Sequence, residues 1–102
     1  MDKSEALNVA RRYAKEVKTK YTFDQMILFG SFAKGTFRDD SDIDIAVIFK
    51  DYDPAIDMQL QLMRMTRNID SRIEPYPFKA QDFNTANPLA QEILKYGEVI
   101  TP

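Results

Sequence analysis

The stretch Met26-Ile27-Leu28-Phe29-Gly30-Ser31-Phe32-Ala33-Lys34-Gly35-Thr36-Phe37-Arg38-Asp39-Asp40-Ser41-Asp42-Ile43-Asp44-Ile45 decides how the chain is read. Four apolar residues, Met26 to Phe29, form a buried-strand pattern that stops at Gly30-Ser31, where a residue without Cβ lets the backbone turn sharply and approach a ligand. A helical turn begun at Phe32 to Lys34 leaves free N–H groups beside the Ser31 hydroxyl, and an anion is their natural guest. Ten residues separate Ser31 from Asp42, which opens a second strand-forming run to Phe49. Carboxylates at i and i+2 of a strand project from one face, so Asp42 and Asp44 share a side. A pair of carboxylates completed by substrate phosphates is how Mg²⁺ is usually held. The stretch therefore reads as a phosphate site followed by a metal site. The competing reading is a polar loop between two core strands, its acids merely solubilising the turn.

At these residues the sequence resembles the nucleotidyltransferase superfamily that includes DNA polymerase β, and within it the minimal nucleotidyltransferases of bacteria and archaea. Gly30-Ser31, ten residues, then Asp42-Ile43-Asp44 match that superfamily's Gly-Ser-X10-Asp-X-Asp signature without a gap, and Ala33-Lys34-Gly35 and Ser41 are residues such proteins commonly carry. Either half alone is weak; both at this spacing, each at the end of an apolar run, are specific. The resemblance implies an α/β (α+β) fold, the polymerase β-like palm, with a mixed sheet and helices mainly on one face. It implies two Mg²⁺ ions on Asp42 and Asp44, ATP as substrate, Gly30 and Ser31 at the phosphates, and transfer of AMP to a hydroxyl with release of pyrophosphate. A third acid is implied on the next strand. Glu74 is the match and Asp70, of the same parity, the fallback. Lys34 and Arg38 are candidates for a phosphate contact or else solvated loop cations. The partner implied is a HEPN-domain toxin that accepts the nucleotide, with this chain as antitoxin. The rival, from another class, is a binding module that blocks its partner sterically and keeps a relict nucleotide site.

Composition narrows the chemistry independently. A chain of 102 residues suits one domain. It has no cysteine and no histidine, so thiolate chemistry, disulfides and the usual general base are excluded and acid–base work falls to carboxylates. A net charge of −2 argues against an extended nucleic-acid surface. No run is long enough for a membrane span and the N-terminus lacks a signal-peptide pattern, so a cytoplasmic location is expected.

The remaining chain supplies supporting elements. Ala6, Val9, Ala10, Tyr13, Ala14 and Val17 recur at helical spacing over Ser4 to Lys18, opposite a basic face of Arg11, Arg12, Lys15 and Lys18 that reads as solvated. In the second strand Ile43, Ile45, Val47 and Phe49 should meet the helices, leaving Asp44, Ala46 and Ile48 on the more open face. Asp53 and Pro54 predict an N-cap and first turn for a helix reaching Asn68. That helix carries two apolar lines: Ala55, Met58, Leu62, Met65 and Ile69 for its own sheet, and Ile56, Leu60 and Met63 as a surplus stripe that is either further core or an association surface for a partner or a second copy. Asp70 to Phe78 predicts a third strand with Glu74, Tyr76 and Phe78 on one face, Pro75 and Pro77 at an edge or past the paired region, and Glu74 near the last paired residue. A short helix near Ala80 and a last helix from Leu89 to Tyr96 follow, the latter with Leu89, Ile93, Leu94 and Tyr96 inward and Gly97 as C′ residue. Val99-Ile100 predicts a short edge strand.

Overall fold

The structure is a computed structural model and describes residues 1–101. Helix α1, Lys3–Lys18, begins where the Asp2 side chain accepts the Glu5 amide and the Glu5 carboxylate reciprocates on the Asp2 amide. Two donors at the helix start are thereby satisfied. Strand β1, Gln25–Phe29, leads through the four-residue helix α2, Ser31–Lys34, into strand β2, Ile43–Phe49. Helix α3, Met58–Arg64, strand β3, Ile73–Lys79, a 3₁₀ turn at Ala80–Asp82, helix α4, Pro88–Tyr96, and strand β4, Glu98–Val99, complete the order.

The four strands form one mixed sheet in the order β3-β2-β1-β4. β1 runs antiparallel to both neighbours, with Phe29 opposite Asp44 and Leu28 opposite Glu98. β2 and β3 are parallel, Asp44 level with Glu74 and Phe49 level with Lys79. Since both faces of the central strand β2 are covered, its six residues Ile43 and Ile45 to Phe49 are all buried and apolar.

The alternation of β2 divides the core as the sequence predicts. Ile43, Ile45, Val47 and Phe49 join Met26 and Leu28 of β1 against α1, Met58 and Leu62 in the larger cluster. Within it the buried Tyr13 hydroxyl donates to the Leu62 carbonyl at 2.8 Å, tying α1 to the C-terminal end of α3, and burial pushes that phenol's pKa up. Ala46 and Ile48, with Ile27, Phe29 and Phe78, form a smaller cluster under Ala90 and Ile93 of α4. Two helices thus cover one face and α4 alone the other.

Three local expectations are corrected. The helix predicted from Pro54 starts at Met58, because Asp57 caps it through the Leu60 amide at 3.0 Å, while Asp53 closes a separate turn on the Ala55 amide at 2.9 Å. It ends at Arg64, where tightened bonds from Met65 to Leu62 and from Thr66 to Met63 replace the α ladder. Leu94 and Tyr96, predicted inward, are exposed, since Ala90 and Ile93, with Leu89 partly buried beside them, are the α4 residues packed against the sheet. Gly97 is extended, not left-handed (φ −71°, ψ 158°); glycine stands there because a Cβ would collide with the Ile93 carbonyl and the Ile27 side chain.

The prolines of β3 do not stop its pairing, which runs through to Lys79. β3 is an edge strand, and the residues at 75 and 77 direct their backbone away from β2: the Pro75 carbonyl instead accepts the Gln59 side chain of α3 at 2.7 Å. The two missing donors fall on the outer edge, where no ladder bond is lost and a foreign strand finds fewer partners. The strand starts at Ile73 and not at Asp70, whose side chain is taken up by Arg72, so Glu74 lies near the beginning of the paired segment and not near its last paired residue as the sequence predicts.

Candidate active site

Asp44 is the second residue of β2, flanked across the ladders by Phe29 at the end of β1 and by Glu74 at the start of β3. Residues level with one another in a parallel pair share a face, so the Asp44 and Glu74 carboxylates stand side by side. Asp42 lies two residues before Asp44 at an exposed position. Where β1 ends, Gly30 turns with φ +75° and ψ −150°, a conformation that L side chains rarely adopt. A Cβ at Gly30 would collide with the Asp44 carboxylate itself. One glycine thus serves both the turn and the site, by letting the backbone pass directly against an acid.

The turn that follows is the one the sequence predicts. Ser31 opens α2, the Lys34 amide donates to the Gly30 carbonyl at 3.0 Å, and Gly35 closes the turn in the left-handed region with the Thr36 amide on the Ser31 carbonyl. Buried Phe32 stacks on Phe37, rings 4.9 Å apart and 14° from parallel, which anchors the loop to the larger core. Farther along, the Ser41 hydroxyl accepts the Arg38 amide at 2.7 Å and so folds the loop back before Asp42.

Burial raises the pKa of Asp44 to about 6, and the charges of Asp42, Glu74 and Glu92 add to the rise; the Tyr76 hydroxyl opposes it weakly. Tyr76 is pushed up in turn, by burial and then by Asp44, Glu74 and Asp42. The carboxylates at 42, 44 and 74 therefore share an electrostatic environment that favours a cation. Oxygen-only donors suit a hard divalent ion such as Mg²⁺. Among the described residues no three acids close on a single point as a ready-made metal cage. The set fits an ion that takes its other ligands from phosphate and water, rather than one held by protein alone.

Two other sequence candidates are engaged elsewhere. Asp70 precedes β3 and is gripped by the Arg72 guanidinium, at 3.0 Å from Nε and 2.7 Å from a terminal nitrogen, which lowers its pKa. It is not level with Asp44, and Glu74 is. Lys34 is ion-paired with Glu92 of α4, its ammonium 5.1 Å from the centre of the Tyr96 ring. Arg38 is exposed. Tyr76 and Glu92 act electrostatically on Asp44 and are neighbours that sequence reasoning missed. Tyr76 was accessible, lying two residues beyond Glu74 on the same face; nothing in the sequence around Glu92 places it near Asp44, because α4 reaches the site only through tertiary packing. A cleft of about 640 Å³ opens near the other end of β3, between Tyr52, Lys79, Asp82 and Asn87, and none of the three acids lines it.

Glycine turn, hydroxyl and laterally paired acids are thus brought together at one end of the sheet. Residues 12–102 match the family described as "Polymerase beta, Nucleotidyltransferase", so the chain belongs to that family and is a nucleotidyltransferase by class. It is 36% identical over 67 residues, 65% of this chain and 67% of the other, to a Methanocaldococcus jannaschii protein named "Putative protein adenylyltransferase MJ1379". Matches to two further M. jannaschii proteins of the same description span 54% and 50% of their lengths. Among solved structures it superposes on a chain of a toxin–antitoxin complex with AMP-PNP (TM-score 0.66, 24% identity, 89% of this chain and 72% of that one). It also superposes on a chain of a tri-AMPylated Shewanella oneidensis HEPN toxin in complex with its MNT antitoxin (TM-score 0.62, 20% identity, 97% and 71%). These likenesses establish the polymerase β-like fold. No described helix is long and apolar enough to cross a membrane.

Proposed function

We propose that this chain transfers AMP from ATP to a hydroxyl group of a partner protein, the partner being a HEPN-domain toxin and this chain its antitoxin. The observation that carries the reading is the meeting of Asp42, Asp44 and Glu74 beside the Gly30 turn, where the backbone approaches Asp44 as closely as a residue without Cβ allows. Names of the M. jannaschii relatives and the contents of the two complexes support the choice of AMP and of a protein acceptor.

In this reading Asp42, Asp44 and Glu74 would hold Mg²⁺, which when bound supplies positive charge against the triphosphate. Ser31, half-buried at the head of α2, and the amides of its turn hold the phosphates. Arg38 is free to reach them from the loop, whereas Lys34 stays with Glu92. Glu74 orients the acceptor hydroxyl and takes its proton, the role histidine fills in many enzymes and cannot fill here. The acceptor oxygen attacks the α-phosphorus, the bond to the bridging oxygen of pyrophosphate breaks, and the products are an AMP–protein ester and pyrophosphate. The turn and the strand ends contribute mainly position and electrostatic complementarity.

The test is incubation of the purified chain with ATP, Mg²⁺ and the protein encoded beside it, followed by intact-mass analysis of both. A mass increase of one or more AMP units on the neighbour, lost with Asp44→Asn, is the expected result. Tight association without any mass change would favour the steric binding module, a reading supported by the open arrangement of the three acids.

A further inference from the structure

We propose that Glu92 is a positioning residue of the nucleotide site: through Lys34 it fastens the turn after Gly30-Ser31 to α4 and keeps that turn in its phosphate-binding form. The inference rests on the nucleotide reading above and adds a residue to it.

Helix α2 is a single turn of four residues, too short to be stable by its own hydrogen bonds. Its N-terminal half is fixed from beneath by buried Phe32. Its last residue, Lys34, points the other way and meets α4, which comes 58 positions later in the chain. There the ammonium is bracketed by the Glu92 carboxylate and the Tyr96 ring. Lys95 also lies over that ring, at 5.2 Å, so the aromatic face is shared and the carboxylate is the specific partner. Among the described residues this is the one ion pair that joins the loop between β1 and β2 to the helix covering the site's face.

A fourth acid close to three others is otherwise an unfavourable choice. The Glu92 charge adds to those that resist ionisation of Asp44, and a neutral residue would ease that burden. With side chains 35% and 36% exposed, the pair adds little to global stability. What it can do is local. The turn has Phe32 as its inner anchor and Lys34 as its outer one; with the outer anchor released, Ser31 and the neighbouring amides sample orientations that do not converge on a phosphate. Binding is then weakened by the cost of reordering them, and the chemical step, once the nucleotide is seated, is unchanged.

Glu92→Gln keeps the shape and removes the charge. Three readouts decide its effect. Amide exchange of residues 31–36 in the nucleotide-free protein should quicken in the variant, while the melting temperature stays with that of the wild type. Titration with ATP and Mg²⁺ should show affinity lowered by roughly five- to tenfold, a change in KM with kcat retained. In a Lys34→Met background, Glu92→Gln should bring no further loss of affinity, since the loss runs through one contact. Tighter ATP binding in Glu92→Gln would overturn the proposal by showing that Glu92 competes with phosphate for Lys34. Unchanged exchange and affinity would overturn it as well. A wild-type chain that binds no ATP would instead remove the nucleotide reading, and the positioning role with it, a failure distinct from one in which the wild type binds and the variant binds equally.

Discussion

On one face of the sheet Ile43, Ile45, Val47 and Phe49 of β2 meet α1 and α3, and every position of that alternation is apolar and buried. On the other, the alternation reads Asp44, Ala46, Ile48; the last two lie under α4, and the first stands beside Glu74 with only part of its surface covered. The same period-2 rule produces both faces, and what differs is the number of helices laid upon them. Two helices fill one side completely, whereas a nine-residue helix covers the other only in part and leaves the strand ends to the acids. A second helix on that face would bury the carboxylates without partners, at a cost no small domain meets easily. The incompleteness of the cover is what makes a site possible.

The largest effect that sharpens this contrast is Asp44→Asn. Nucleotide transfer should fall on the order of a thousandfold, the scale of losing a principal charge-stabilising group in such a site, with thermal stability kept or raised. An Asp44→Asn chain with undiminished transfer would show that the two faces do not differ in chemistry after all.

Next in size is Gly30→Ala. It combines a strained positive φ with a collision on the Asp44 carboxylate, so a stability loss of about 2–3 kcal/mol is expected together with loss of transfer. Gly35 is the control, because it shares the positive φ but a Cβ there meets nothing within 4 Å. Gly35→Ala should cost about 1 kcal/mol and leave transfer largely intact. Equal effects at the two glycines, measured by chemical denaturation and transfer rate, would mean that close approach to Asp44 is unimportant.

The spacing Gly30-Ser31 to Asp42 and Asp44 was legible because turn chemistry and strand parity are local, and so was the division of β2 between two faces. Glu74 needed the register of a parallel pair and could be named only beside its alternative, Asp70; level pairing with Asp44 places the one, and Arg72 engages the other. Glu92 and the outward turn of Leu94 and Tyr96 were not legible. They depend on how α4 is rotated over the sheet, which Ala90 and Ile93 settle by packing on Ile27, Phe29 and Ala46. The start of α3 was misread because two aspartates, Asp53 and Asp57, offer caps four residues apart. Both are used, one for a turn and one for the helix.

The acid face should also register pH where the apolar face cannot. Asp44 is raised from 3.8 to about 6 in the folded, metal-free chain. Between those values the folded state keeps a proton that the unfolded chain has released, so stability falls as pH rises from 4 to 6 and levels off above. The shift sets a ceiling of about 3 kcal/mol, and solvent screening of a partly exposed group reduces the contribution to about 1–2 kcal/mol. Urea denaturation across that range should show the decline in the wild type and its disappearance in Asp44→Asn. A decline that persists in the variant would assign the pH response to another group.

The smallest expected change in the isolated chain is at Leu60. Leu62 of α3 is fully buried and Met58 nearly so, while Leu60 is 44% and Ile56 41% exposed and Met63 is half-buried. The surplus stripe thus lies on the outer side of the helix whose inner side completes the larger core, although Ile56 belongs to the turn before α3 and not to the helix itself. A charge costs much only where water is excluded. Leu60→Asp should therefore shift the stability of the isolated chain by no more than about 0.5 kcal/mol, whereas Leu62→Ala should cost about 2–5 kcal/mol. If the stripe is the association surface that its apolar character suggests, the same Leu60→Asp chain, folded as before, should sediment as a smaller species or lose its hold on a partner. Melting and sedimentation of the wild type and both variants separate the outcomes. A Leu60→Asp chain that unfolds on its own would show the outer side of α3 to be as much a part of the core as the inner, while one that is stable and assembles like the wild type would leave the stripe without a role in association.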